Sequence, residues 1–205
     1  RFAALHDGHD LAGEAAEVSS PRRRSCTSER SASPHETRSA RGMNMLLKTL
    51  RFLNLLLVAL TLGMTFCHAL EYPGKRDLDG SDWLMVQHHV YVAFGVIGAV
   101  IEVTAIATTW IVLWQLHGWK LSRVLTLAAA LCGSAALAVW FAYVDPVNAA
   151  LKAWTPETLP GDWTSYRDQW EAGHAAGAVL FALAFSALVV ALLSEVENGT
   201  RRIWS

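Results

Sequence analysis

Four apolar segments, each close to the length needed to cross a bilayer, constrain this chain more than any other feature. They run from Leu46 to about Leu70, from about Val90 to Leu116, from Leu121 to Tyr143 and from Gly173 to Leu193. A helix needs roughly 20 apolar residues to cross the hydrocarbon layer, and within lipid a segment must satisfy its own backbone hydrogen bonds, which a helix does alone. The pattern predicts an all-α fold: an integral membrane four-helix bundle in contact with the lipid bilayer. Composition agrees, since 53% of the residues are hydrophobic and 17% charged, against about 25% charged in a typical soluble domain. No nucleic-acid partner is expected. A cleaved signal peptide is a poor alternative for the first segment, because its apolar run is longer than an h-region of roughly 7–15 residues and ends in His68 and Glu71.

Residues 1–42 are of a different kind. They hold seven of the seventeen basic residues and no periodic apolar pattern, so they cannot bury enough surface to fold. They are expected to be a disordered leader or an upstream reading-frame extension, with Met43 and Met45 standing just before the first span. A basic targeting peptide fits less well, since Asp7, Asp10, Glu14 and Glu17 lie among the basic residues. The remainder, 43–205, reads as one four-span domain. Cys26, Cys67 and Cys132 have no metal-type spacing and read as small core residues.

Lysine and arginine set the expected orientation. Lys48 and Arg51 precede the first span, Lys120 and Arg123 occupy the second connection, and Arg201 and Arg202 follow the last span; the other two connections and adjoining helix ends hold Lys75, Arg76, Lys152 and Arg167. The asymmetry predicts that both termini are cytoplasmic.

Polar residues gather at the opposite ends of the spans. Asn54, Thr61, Thr65 and His68 form one stripe on the first helix and must face protein; Glu71 extends it, and Pro73-Gly74 reads as the helix end. A second helix starting at Ser81 as N-cap places His88, Val92, Gly95, Ala99 and Glu102 on one face. In a regular helix fourteen residues return to within about 40° of the same direction, which favours His88 over His89. Glu102 falls near mid-bilayer, where a carboxylate is either functional or neutral and hydrogen-bonded, for instance to Thr61 or Asn54. The third helix exits through Trp140, Tyr143, Asp145, Pro146 and Asn148. In the last helix, with Asp162 as N-cap, Arg167, Glu171 and His174 share a stripe with Trp170 beside them. Trp154 reads as part of an interfacial aromatic belt. Solvated polar residues at an interface would account for Glu71 or Asp145 alone; three histidines from three helices at one depth point instead to a shared site.

In these residues the chain resembles the family of small four-helix membrane proteins grouped with the fungal anthrone oxygenases, and within it the bacterial branch. The matching pieces are His68-Ala69-Leu70-Glu71-Tyr72-Pro73-Gly74-Lys75, Val86-Gln87-His88-His89-Val90-Tyr91, Pro146-Val147-Asn148, and Asp162-Trp163 with Arg167 and Trp170-Glu171-Ala172-Gly173-His174. The resemblance implies a bacterial inner-membrane protein that oxidises a small aromatic or enolisable carbonyl compound with dioxygen: a base removes an acidic C–H proton and the enolate reacts with oxygen. Histidine suits the base and Arg167 the developing enolate oxygen. The candidate catalytic residues are His68, His88, Arg167, Glu171 and His174, with His174 or His88 as base; Trp163, Trp170, Asn148, Glu71 and Glu102 are candidate contacts to a small hydrophobic or aromatic molecule.

Two readings from other classes stay open. No cofactor is predicted, yet His68-x-x-Glu71 and Glu171-x-x-His174 have the carboxylate–imidazole spacing that helix bundles use for di-iron sites, so a transition metal or haem held by His68, Glu71, His88, Glu171 and His174 is one alternative. A non-catalytic lipid- or partner-binding module is the other. The sequence specifies no oligomer.

Overall fold

The computed structural model describes residues 34–116 and 120–203, with side chains over 45–116 and 120–195; the stretch 1–33 of the expected leader, including Cys26, lies outside the described residues. All regular structure among them is helical. α1 is Pro34–Arg76, α2 Gly80–His89, α3 Ala99–Gln115, α4 Lys120–Val139, α5 Asp145–Leu151 and α6 Trp163–Ile203. Residues 34–42, placed in the leader by sequence, belong to α1. Two π-helical turns intervene, Phe94–Gly98 before α3 and Trp140–Val144 between α4 and α5.

Among the described residues four helical stretches are long and apolar enough to cross a membrane: Met45–Arg76, Phe94–Gln115, Lys120–Leu151 and Trp163–Glu195. They close a ring in which α1 packs on α3 and α6, and α4 packs on the same two helices. The valine, isoleucine and threonine of Ala99–Gln115 are weak helix formers in water, but a span has no other backbone partner in lipid.

Three expected boundaries move. α1 runs through Pro73 to Arg76, because a proline so near a helix end removes a single backbone bond and the extra turn brings Lys75 to a buried partner. The third span likewise continues through Pro146. Just before it, the Asp145 N–H bonds back to Trp140 O, a wide π-type turn that absorbs the crowding a proline ring causes in a regular helix. The N-cap of α2 is Asp79 rather than Ser81: its carboxylate accepts from the Asp82 N–H at 2.9 Å and from Ser81 Oγ at 2.8 Å. Those bonds hold the Asp79 carboxyl below the usual carboxylate range. The second helix is also not regular from His88 to Glu102, since α2 ends at His89 and the π turn follows.

The middle of the bundle is packed by small residues. Val58, Ala105, Ala129, Ala136, Phe181, Ala184 and Leu188 form one buried cluster with Cys132 against it, the composition that lets membrane helices approach closely. At the end bearing Arg51, the Asn54 amide donates to Ala105 O at 3.1 Å and to Thr109 Oγ1 at 2.7 Å. Arg51 forks onto Glu195, which also accepts from Ser122 Oγ. At the other end a second cluster holds Trp83, Leu84, Tyr91, Val144, Val147, Leu151 and Trp170.

α6 packs tightly on the third span at Gly173, where a Cβ would lie 2.6 Å from Val144 Cγ2 and 3.0 Å from Tyr143 Cβ. Gly173→Val is expected to force the helices apart and lower stability by about 1–3 kcal/mol, read by denaturant titration in detergent. Unchanged stability would show that the contact is slack.

Candidate functional site

The stripe of α1 does face protein: Asn54, Thr61, Thr65 and His68 are all buried. Thr61 and Thr65 return their hydroxyls to the backbone one turn earlier, Thr61 Oγ1 to Leu57 O at 2.9 Å and Thr65 Oγ1 to Thr61 O at 3.1 Å. His68 has no such local outlet. Its ring sits among aromatic neighbours, with centroids 4.2 Å from His174, 4.9 Å from Trp170 and 4.7 Å from Tyr91. His174 in turn lies 4.1 Å from Trp170. The last helix delivers both of these residues because Trp170 and His174 are four apart, and Asn148 Oδ1 fixes the indole by accepting from Trp170 Nε1 at 2.9 Å.

The two imidazoles open onto a cavity of about 700 Å³, within the range of ordinary small-molecule sites. His68, His88, His174, Trp170, Asn148 and Glu102 all line it, and His89 does not. His88, Val92, Gly95, Ala99 and Glu102 share its wall even though the helix between them is irregular. His88 stands apart from the other two histidines: it is exposed, and its Nε2 meets Leu151 O at 2.9 Å. The half-buried Glu102 has neither of the partners expected for it, since Asn54 donates to Ala105, Thr108 and Thr109 of α3 and Thr61 to Leu57.

Behind the aromatic wall lies a layer of charge. Lys75 Nζ is 2.6 Å from Glu171 Oε1 and 3.7 Å from Glu71 Oε2, close enough for ion pairing although the first contact is not aligned as a hydrogen bond. The ammonium also sits over the rings of Trp170 and Tyr91, 4.8 and 5.1 Å from their centroids. Tyr91 Oη donates to Glu71, as does Cys67 Sγ at 3.3 Å. His68 Nδ1 is 3.6 Å from Glu71 Oε2, beyond hydrogen-bond length.

Glu71, Glu171, Arg167 and Trp163 do not line the cavity. Arg167 Nη1 donates to Arg76 O at 3.3 Å and its Nε to Asp168 at 3.2 Å, so the guanidinium terminates α1, where a cation meets the free carbonyls. Trp163 packs on Trp83 and carries the Arg167 guanidinium over its ring. The residues that sequence reasoning missed are Lys75, Tyr91 and Gln87. Lys75 carried a signal, falling four after Glu71 and seven after His68 on the same stripe. Gln87 is buried, lines the cavity, and has an Nε2 with no hydrogen-bond partner among the described residues.

The residues suggested for a metal do not fit one. Among the described residues no group of three or more His, Cys, Asp or Glu is gathered to hold an ion, and the Lys75 ammonium stands between Glu71 and Glu171, the two carboxylates such a site would use. Compared with known protein families, curated proteins and solved structures, the chain matches none.

Lys75→Met is expected to cost about 3–5 kcal/mol, because it leaves the Glu171 carboxylate buried and unpaired. Lys75→Met combined with Glu171→Leu should recover most of that loss in a double-mutant cycle. If the double variant is as unstable as the single one, the two residues do not act as a pair.

Proposed function

We propose that this chain is a membrane oxidoreductase of the anthrone-oxygenase-like kind, acting without a cofactor on a small aromatic or enolisable carbonyl compound held in the cavity. One observation carries the reading: two contacting imidazoles, His68 and His174, on the wall of a largely apolar cavity of about 700 Å³. The His174 Nε2 atom is buried without a hydrogen-bond partner among the described residues, so its lone pair or proton is free for a ligand. As base it takes the acidic C–H proton next to the carbonyl. The resulting carbanion bonds to dioxygen, the peroxide anion takes up a proton to give a hydroperoxide, and loss of the remaining proton on that carbon together with hydroxide, as water, leaves a new carbonyl there. Arg167 is committed to the end of α1, and the Gln87 amide takes its place as the donor for the enolate oxygen. Trp170 supplies the aromatic wall and Trp163 does not.

The largely apolar lining also suits a binding module for a lipid-like molecule, which differs from the enzyme in needing no base. Proteoliposomes supplied with anthrone and oxygen distinguish the two. His174→Ala is expected to lower oxygen uptake by about 10²-fold or more while the protein still inserts, and His89→Ala to leave it unchanged. Wild-type protein that binds anthrone without consuming oxygen would make this a binding module.

In this proposal the protein sits in a bacterial inner membrane, and the lysine and arginine asymmetry supports a cavity on its extracytoplasmic side. A reporter fused after Arg202 is expected in the cytoplasm, and reporters inserted near Asp79 or Glu157 outside it. The opposite result at all three positions would invert the protein.

A further inference from the structure

The second and third spans pack together over α3 and α4, but the two π-helical turns each pack elsewhere: Phe94–Gly98 lies on α1 and Trp140–Val144 on α6. A π turn inserts an extra residue and widens the helix, and here two such turns stand on either side of one gap. The gap is bridged above by the hydrogen bond from His88 to Leu151 O and closed below by the α3–α4 contact.

The lips of this gap are apolar and face outward. Val96 is 67% exposed and Phe141 59% exposed, and both also line the cavity, as does the exposed Val92. Each belongs to a membrane-spanning stretch or adjoins one, so what these side chains meet outside the protein is lipid. Side chains that are open to lipid on one side and to a cavity on the other mark a passage between the two.

We infer that the cavity is entered sideways from the hydrocarbon layer, through a window between Val96 and Phe141, and that its ligand is therefore a neutral, lipid-partitioning aromatic ketone rather than a water-borne anion. The inference rests on the proposed function for the class of ligand, and adds the route. A charged molecule would have to be desolvated in hydrocarbon to use this window; a neutral aromatic one is already concentrated there.

The test uses benzophenone, a neutral aromatic ketone that inserts into nearby C–H bonds on irradiation, and its 4-sulfonate, which stays in water. Full-length protein in proteoliposomes is mixed with either probe, irradiated after graded times, and mapped by mass spectrometry. Met64 reports the cavity, which it lines, and Phe66 on the same helix, exposed to lipid, is the internal control. Benzophenone is expected to label both residues, and the sulfonate to leave Met64 unlabelled. Val96→Trp should slow labelling of Met64 with Phe66 unchanged, Phe141→Ala should hasten it, and Val100→Trp, lipid-exposed but off the cavity wall, should do neither. Equal labelling of Met64 by the sulfonate, or benzophenone kinetics indifferent to both lip variants, would overturn the window while leaving an aromatic site intact. No label on Met64 from either probe would remove the aromatic site itself, and the proposed function with it.

Discussion

An ammonium group buried among aromatic rings at a membrane boundary has to be paired, and Lys75 is paired twice. Its contacts with Glu171 on α6 and Glu71 on its own helix explain why α1 continues past Pro73 and why the first and last spans meet in one register. Sliding α6 by a single turn would shift it by about 5.4 Å and strand the Glu171 carboxylate, leaving Lys75 only Glu71 of its own helix. Once that register is set, His68 faces His174, and Trp170 closes over both. Buried pairs contribute little net stability compared with apolar side chains of the same volume; the visible consequence of this one is alignment.

The opposite end is aligned by similar means, with Arg51, Glu195 and Ser122 tying three spans together and Asn54 reaching the carbonyl and hydroxyls of a fourth. Between the two polar ends the bundle is filled by alanine and by Gly133, where a Cβ would sit 3.2 Å from Ile106 Cγ1. Backbones pressed this closely leave little volume for a ligand, and of this cluster Ala136 and Phe181 border the cavity. The cavity therefore falls in the half where the π turns force the second and third spans apart, and where large aromatic side chains replace alanine.

Span number, helical class and the buried stripe of α1 were legible because lipid leaves a polar side chain few options, so Asn54, Thr61, Thr65 and His68 could be assigned inward from spacing alone. The helix ends were not legible. Pro73, Pro146 and Ser81 were read by rules that assume a water-exposed alternative, whereas at a membrane boundary continuing the helix keeps backbone groups satisfied, and a π turn accommodates the proline. The site was half legible. Stripe arithmetic puts His174 and Trp170 on the face that lines the cavity, but a stripe does not say which neighbour the tip of a long side chain reaches, and the Arg167 guanidinium reaches the end of α1. Lys75 was hidden because lysines outside a span were counted for orientation and not weighed as partners.

The position of the Lys75 ion pairs behind the aromatic wall has a chemical consequence. Glu71, Glu171 and the Lys75 ammonium stand behind His68, Tyr91 and Trp170, so at that wall a ligand meets ring edges, imidazole and amide, while Glu102, Asp145 and Lys152 line the cavity elsewhere. Groups of that kind bind a neutral carbonyl compound without first desolvating a charge, and preorganised dipoles in a water-poor site act more strongly on developing charge than they would in water. The Lys75 cation behind that wall is shared by Glu71 and Glu171, so the layer carries no surplus positive charge toward the cavity.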